Sequence, residues 1–216
     1  MNPQLPKLTD LISELKIKML QNLPGHQAHL RMEPITRKAF LNLQHPTPPR
    51  QSAVLIVLFE EDGKIKTTFI KRNIYDGVHS GQIAFPGGRY EEYDNNLINT
   101  ALRETEEEVG IPREDVKVLG SLSKIYIPPS NFDVLPVVGY TNKVPKLVID
   151  PKEVSEAFFV ELEALVSPGS LGQNNVTLKD GKQASIPCYQ VSGYTIWGAT
   201  AMIMSEFNEI ISPIRQ

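Results

Sequence analysis

Apolar residues at 8, 11, 12, 15, 17, 19 and 20 of Leu8–Leu20 recur with the spacing of an amphipathic helix, and Thr9 or Asp10 stands near its cap. Such a stripe packs on a neighbouring domain. Over Met32–Gln51 the pattern dissolves. Pro34, Pro46, Pro48 and Pro49 cannot sit inside regular elements, so this stretch reads as an extended linker. Ser52–Phe59 is then a β-branched run and Ile65–Lys71 another, and the Asp62-Gly63 pair between them predicts a hairpin turn. The spacing further predicts a helix over Asn96–Val109 and strands over Val116–Ile127 and Val134–Tyr140. Glu153–Leu165 looks helical at its end, and Tyr194–Ile211 reads as a closing helix. Strands mixed with helices imply an α/β (α+β) domain with a central mixed sheet over residues 52–212, after an N-terminal helix and Pro-rich linker over residues 1–51.

Composition narrows the function classes. The chain has 216 residues, 41% hydrophobic and 22% charged, enough for one domain with a full core. A net charge of −3 argues against gripping nucleic acid or an anionic membrane by bulk electrostatics, while a small anionic substrate needs only a local basic patch or a metal. Cys188 is the lone cysteine, which excludes an intrachain disulfide and a cysteine zinc cluster. The longest apolar run, Ala53–Phe59, falls far short of the roughly 20 residues that span a bilayer, and MNPQLPKLTD lacks the pattern of a secretory signal. The expectation is a soluble, cytoplasmic protein. Its N-terminal helix and linker can pack across a homodimer as easily as on their own domain.

The informative segment runs from Phe85 to Pro112, FPGGRYEEYDNNLINTALRETEEEVGIP. Asn95 or Asn96 can cap the helix, and Gly110 stands at its stop with Pro112 beyond. Leu97, Ile98, Ala101, Leu102, Thr105 and Val109 make one face that can pack on a core. Glu104, Glu107 and Glu108 share a neighbouring face, while Glu106 points elsewhere. Like charges four apart repel by roughly 0.2–0.5 kcal/mol. Acids in the last turn also oppose the helix dipole, by about 0.3–1 kcal/mol each. A divalent cation reverses both signs, and a solvated acidic face is the plain alternative. Phe85-Pro86-Gly87-Gly88 upstream is a rigid turn with two glycines, through which backbone groups can approach a ligand closely. Ala101–Val109 is acidic, which rules out the basic recognition helix of a helix-turn-helix DNA binder.

These residues resemble the signature of the Nudix hydrolases, GX5EX7REUXEEXGU with U a bulky apolar residue. Arg103-Glu104-Thr105-Glu106-Glu107-Glu108-Val109-Gly110-Ile111 matches its second half, with Thr105 at an apolar position. In the first half, five residues after Gly88 lead to Asp94 in place of Glu, and eight residues then precede Arg103. The extra residue is expected to be absorbed at the loop-to-helix junction without moving the glutamates. Upstream, Arg72, Gly81 and Phe85-Pro86-Gly87-Gly88 keep the spacing of the coenzyme A pyrophosphatase pattern LLTxR(S/A)x3Rx3Gx3FPGG. Ile70, Asn73 and Gly77 depart from it, Gly77 replacing a second Arg. Ser130–Gly139, Asp150–Val160 and Ile196–Ala199 look like further stretches of that subgroup.

The resemblance implies an α/β/α sandwich and metal-dependent hydrolysis of a diphosphate bridge. The implied substrate is coenzyme A or an acyl derivative, cleaved to 3′,5′-ADP and 4′-phosphopantetheine with Mg²⁺ or Mn²⁺. Another nucleoside diphosphate derivative is the alternative, followed by a non-catalytic ligand-binding module. The implied metal set is the Gly87 carbonyl with Glu104, Glu107 and Glu108. Arg103, Glu104 and Glu107 are the implied catalytic residues, Arg103 holding a glutamate in place. Arg72 and Gly88 are the implied substrate contacts. The general base is open between Glu104 and an acid of the Glu153–Glu156 segment, whose acids also suit the first turn of a helix after Pro151. Tyr126, Phe132 and His79 are either pocket residues or structural ones.

Overall fold

The protein is described by a computed structural model covering residues 5–35, 37, 41, 45–177, 181 and 183–214. Part of the linker expected over Met32–Gln51 lies outside the described residues. The N-terminal helix α1 (Leu8–Lys18) starts after Lys7 without a side-chain cap, and buries Leu8, Leu11, Ile12 and Leu15. Ile17 and Leu20 stay exposed. A short helix α2 (Gly25–Leu30) follows.

The main sheet is built on β1 (Arg50–Glu61), whose Val, Leu, Ile and Phe run is buried on both faces. The Asp62-Gly63 turn, with positive φ at both residues, returns the chain as β2 (Lys64–Arg72), pairing Glu61 with Lys64. The β1–β2 pairing lasts only from Leu58 to Glu61. At its N-terminal half β1 instead pairs with β4 (Gly87–Arg89), while β2 pairs with β3 (Ile83–Ala84). One segment thus crosses from β2 to β1 at Phe85-Pro86, where the Pro86 carbonyl accepts from Leu55 N–H. That crossing sets the glycine turn inside the sheet rather than on a loop.

Helix α3 (Leu97–Val109) follows. Asn96 caps it through a bond from Asn99 N–H, and Gly110 closes it in the left-handed conformation. Val116–Ile127, read as one strand, is two: β5 (Lys117–Ser121) and β6 (Ile125–Ile127). Both pair with β7 (Phe132–Tyr140), and the break lets Ser123 turn its N–H to Glu206. Strand β7 runs parallel to β1, from Arg50↔Phe132 to Leu58↔Tyr140. The remaining pairings of this eight-stranded sheet are antiparallel, so it is mixed as expected.

Glu153–Leu165 is mostly strand, β8 (Val154–Glu161), and helical only in α4 (Leu162–Val166). Two strands without a reading in the sequence follow, β9 (Leu171–Thr177) and β10 (Gln183–Val191). Tyr194–Trp197 is β11, not helix. It pairs with β10 from Cys188↔Trp197 to Val191↔Tyr194, and α5 begins only at Gly198 (Gly198–Ile211). The core lies on both faces of the main sheet. Helix α3 covers one through Ala101 and Val109, and α1, α5 and the small sheet cover the other. This is the α/β/α arrangement.

Candidate active site

The site forms where α3 meets the glycine crossing. On α3, Thr100, Ala101, Arg103, Thr105, Glu108 and Val109 are buried, while Ile98 is exposed, contrary to its assignment to the core face. Thr105, at an apolar position of the motif, is 1% exposed and returns its hydroxyl to the Ala101 carbonyl at 2.7 Å. Its methyl can therefore pack while its oxygen is satisfied.

Arg103 is the hub. Its guanidinium donates to Asp94 Oδ1 and Oδ2 at 2.6 and 2.9 Å, to Glu104 Oε1 and Glu107 Oε2 at 2.8 Å each, and to the Arg89 carbonyl at 3.0 Å. Asp94 is buried and also accepts from Thr100 Oγ1 and Glu91 N–H. The Arg103 guanidinium, with help from Glu91 and Thr100, holds its carboxyl down at about 2. Asp94, which departs from the Glu of the motif, thus anchors Arg103. The eight-residue spacer was its signal.

Glu104 and Glu108 face the glycines, each differently. Glu108, 2% exposed, accepts from Gly87 N–H at 2.8 Å. Burial pushes its carboxyl up to about 8, against the Gly87 N–H and the Arg72 charge, with Glu104 and Glu153 adding to the rise. Glu104 is also raised, first by burial, with Arg103 opposing and Glu107 and Glu153 contributing. A Cβ on Gly88 would stand 2.3 Å from Glu104 Oε2, so only glycine leaves room for that carboxylate. A Cβ on Gly87, at φ +150°, would stand 2.3 Å from the Ala53 carbonyl. Glu107 is exposed, and Glu106 pairs away from the site with Arg113.

The structure separates the outside acids. Glu153 lies in a turn before β8 rather than in a helix, and its charge reaches both Glu104 and Glu108. That turn is tied to α3, since Val148 N–H and Asp150 N–H donate to the Val109 and Glu108 carbonyls. Glu156 sits in β8 and accepts from Tyr194 O–H, toward the small sheet. Arg72 ends β2, close enough to Glu108 to oppose its rise. His79 bridges Gln82 and Ser130, Tyr126 donates to Asn131, and Phe132 lies under the Arg50 guanidinium, so all three have structural partners. Among the described residues, no three His, Cys, Asp or Glu side chains already converge as a metal cluster. Arg103 engages Glu104 and Glu107, and Gly87 N–H engages Glu108, instead.

A family model described as the NUDIX domain matches residues 49–179, from the start of β1 through the glycine crossing and the acidic helix. The chain belongs to the Nudix family. It is 36% identical over 173 residues to a Photorhabdus laumondii protein described as the uncharacterized Nudix hydrolase NudL, covering 76% of this chain and 90% of that one. To the human mitochondrial coenzyme A diphosphatase NUDT8 it is 28% identical over 168 residues, 76% of this chain and 71% of that one. The solved Nudix hydrolase RenU of M. smegmatis has a TM-score of 0.54 at 16% identity, over 79% of this chain and 90% of that one. A MutT protein of Methanosarcina mazei has 0.51 at 17%, over 77% and 96%. These two likenesses concern the fold. The chain is a Nudix-type pyrophosphohydrolase, of a family that acts on small molecules with divalent metal ions. No helix among the described residues is long and apolar enough to cross a membrane.

Proposed function

We propose that this Nudix hydrolase cleaves the diphosphate bridge of coenzyme A or an acyl derivative, giving 3′,5′-ADP and 4′-phosphopantetheine. The similarity to a coenzyme A diphosphatase supports this reading, together with Arg72, Gly81 and the Phe85–Gly88 turn at the spacing of that subgroup. The observation that carries the chemistry is the pair Glu104 and Glu108. Both are drawn out of water beside a glycine turn, and both carboxyls are raised. Two such acids side by side fit a hard divalent cation, Mg²⁺ or Mn²⁺, which oxygen donors favour. Glu104, Glu108, Glu107 and the Gly87 carbonyl are the groups that would hold it. When bound, it would neutralise phosphate charge and polarise the bridge.

The chain's own residues do the rest. Arg103 holds Glu104 and Glu107 from one side and so orients both carboxylates in the resting site. Arg72 supplies positive charge on the other side for a substrate phosphate, and Gly88 lets that phosphate approach Glu104 without a side chain between. Glu153, whose charge is felt by both Glu104 and Glu108, takes the proton of the attacking water. A single buried cysteine suits a reducing, cytoplasmic setting. A second reading, cleavage of a nucleotide sugar or a dinucleotide, draws on Gly77, which removes the second Arg of the subgroup pattern.

The test is a mass-resolved assay with coenzyme A, with and without Mg²⁺ or Mn²⁺, beside Glu108→Gln. Metal-dependent release of both products, lost by at least a hundredfold in the variant, is expected. Turnover of nucleotide sugars or dinucleotides but not coenzyme A would move the assignment to the second reading.

A further inference from the structure

A cavity of about 480 Å³ opens on the solvent side of the Arg103 hub, separate from the glycine turn. Its volume falls in the range of small-molecule sites. Tyr93, Asn95 and Asn99 line it together with Leu102, and Arg103 and Glu107 form the wall shared with the acidic cluster. Tyr93 is 69% exposed, a large aromatic left bare, with the Arg103 guanidinium 5.4 Å from its ring centroid.

The amides beside it are held but not exhausted. Asn95 and Asn99 each give a side-chain N–H to a backbone carbonyl, of Tyr93 and Asp94, at 3.2 and 2.8 Å. Those bonds fix the amide planes and leave each carbonyl oxygen, with a second N–H, for a ligand. An amide offering an acceptor beside a donor matches the amino edge of adenine, and a bare tyrosine ring offers the stacking surface. The pocket exists because of the eight-residue spacer between Asp94 and Arg103 and the turn before it. Residues Glu92–Asp94 make a 3₁₀ turn, and Asn95 takes a left-handed conformation, which leaves Tyr93 outside the helix that follows.

We propose that this cavity is the subsite for the adenine base of the substrate, stacked on Tyr93 and read by Asn95 and Asn99, with the diphosphate crossing Glu107 to reach Glu104. The inference rests on the adenine-containing substrate proposed above and adds where its base sits. Tyr93 acts as a specificity residue and takes no part in the chemistry.

The experiment is calorimetric binding of 3′,5′-ADP to metal-free protein, with guanosine 3′,5′-bisphosphate and 4′-phosphopantetheine as comparison ligands. Tyr93→Ala should weaken 3′,5′-ADP about tenfold, the scale of a lost base–aromatic stack, and Tyr93→Trp should restore it. 4′-Phosphopantetheine should be unaffected, and guanosine 3′,5′-bisphosphate should bind the parent protein about tenfold more weakly than 3′,5′-ADP. In turnover, Tyr93→Ala should raise KM for coenzyme A with kcat unchanged. Unchanged 3′,5′-ADP affinity in Tyr93→Ala, failure of Trp to restore it, or equal affinity for the guanosine ligand would overturn the assignment. If coenzyme A is not cleaved while 3′,5′-ADP still binds through Tyr93, the subsite stands and the coenzyme A reading falls.

Discussion

Asp94 grips Arg103 with both carboxylate oxygens, 2.6 Å to Nε and 2.9 Å to Nη2, and both side chains are nearly dry. The motif this chain resembles places a Glu there with one residue fewer before the Arg. A side chain shorter by one methylene is matched here by a longer spacer, bent through left-handed Asn95. Each change alone would misplace the carboxylate. Asp94→Glu alone should therefore destabilise the fold, and Asp94→Glu combined with deletion of Asn95 should recover most of the loss. Asp94→Ala, which leaves Arg103 without its buried partner, should cost about 3–5 kcal/mol. Urea unfolding reads all three, and a combined variant no better than Asp94→Glu alone would refute the compensation.

The same pair predicts acid behaviour. Asp94 is held at about 2, below its ordinary 3.8, so its contribution is present above pH 4 and is lost as the pH falls toward 2. A gap of that size is worth about 2 kcal/mol. The stability difference between the parent protein and Asp94→Asn should shrink by that amount between pH 5 and pH 2, measured by chemical denaturation. A difference constant with pH would mean that the pair contributes no such linkage.

Glu108 predicts the opposite slope. Its carboxyl is raised from 4.5 to about 8, so the metal-free fold loses stability as the pH climbs through that window. Glu108→Gln removes the charge, and the Gln oxygen can still accept from Gly87 N–H. The variant should melt higher than the parent at pH 8 without metal and show no gain at pH 4.5, while its activity is lost. This is a stability–activity trade-off at one position. A lower melting temperature at pH 8 would count against it.

The two glycines should separate fold from chemistry. At Gly87→Ala the new methyl meets the backbone of Ala53 and Val54, which cannot yield without breaking the β1–β4 pairing. At Gly88→Ala it meets the end of the Glu104 side chain, which can swing away. Gly87→Ala should therefore lower the melting temperature sharply, by several degrees or more. Gly88→Ala should keep near-parent stability and lose kcat by at least tenfold. Comparable melting temperatures for the two variants would contradict this division.

Local signals explain why much of this was legible beforehand. The hairpin at Asp62-Gly63, the α3 boundaries at Asn96 and Gly110, and the β-branched core strands β1 and β2 all rest on neighbouring residues. The acidic trio also stands out in the sequence, because carboxylates opposing the helix dipole are unfavourable there, and its metal role is the proposal made above. What escaped depends on distant contacts. Strand β9 is rich in Gln, Asn and Gly, and the small sheet exists because β10 pairs with β9 on one side and with β11 on the other. The split between β5 and β6 is set by Glu206, 83 residues away from Ser123. The partnership of Asp94 with Arg103 and the openness of Tyr93 required the shape of the spacer, which no periodicity reports.

Thr67 and Thr68 in β2 offer a test of packing far from the chemistry. Both are fully buried, and neither hydroxyl has a hydrogen-bond partner among the described residues. On a strand they point to opposite faces, so each leaves an unpaired polar oxygen in a different half of the core. Removing an unsatisfied buried hydroxyl while keeping the branched shape relieves a desolvation cost of about 1–3 kcal/mol. Thr67→Val and Thr68→Val should each raise the melting temperature by about 2–4 °C per kcal/mol gained. Because the faces are distinct, the double variant should add the two gains. Activity should stay at the parent level, since the acidic cluster is carried by α3 beside the glycines of β4. A fall in melting temperature for either variant would show that its hydroxyl is satisfied in solution, for instance by an internal water.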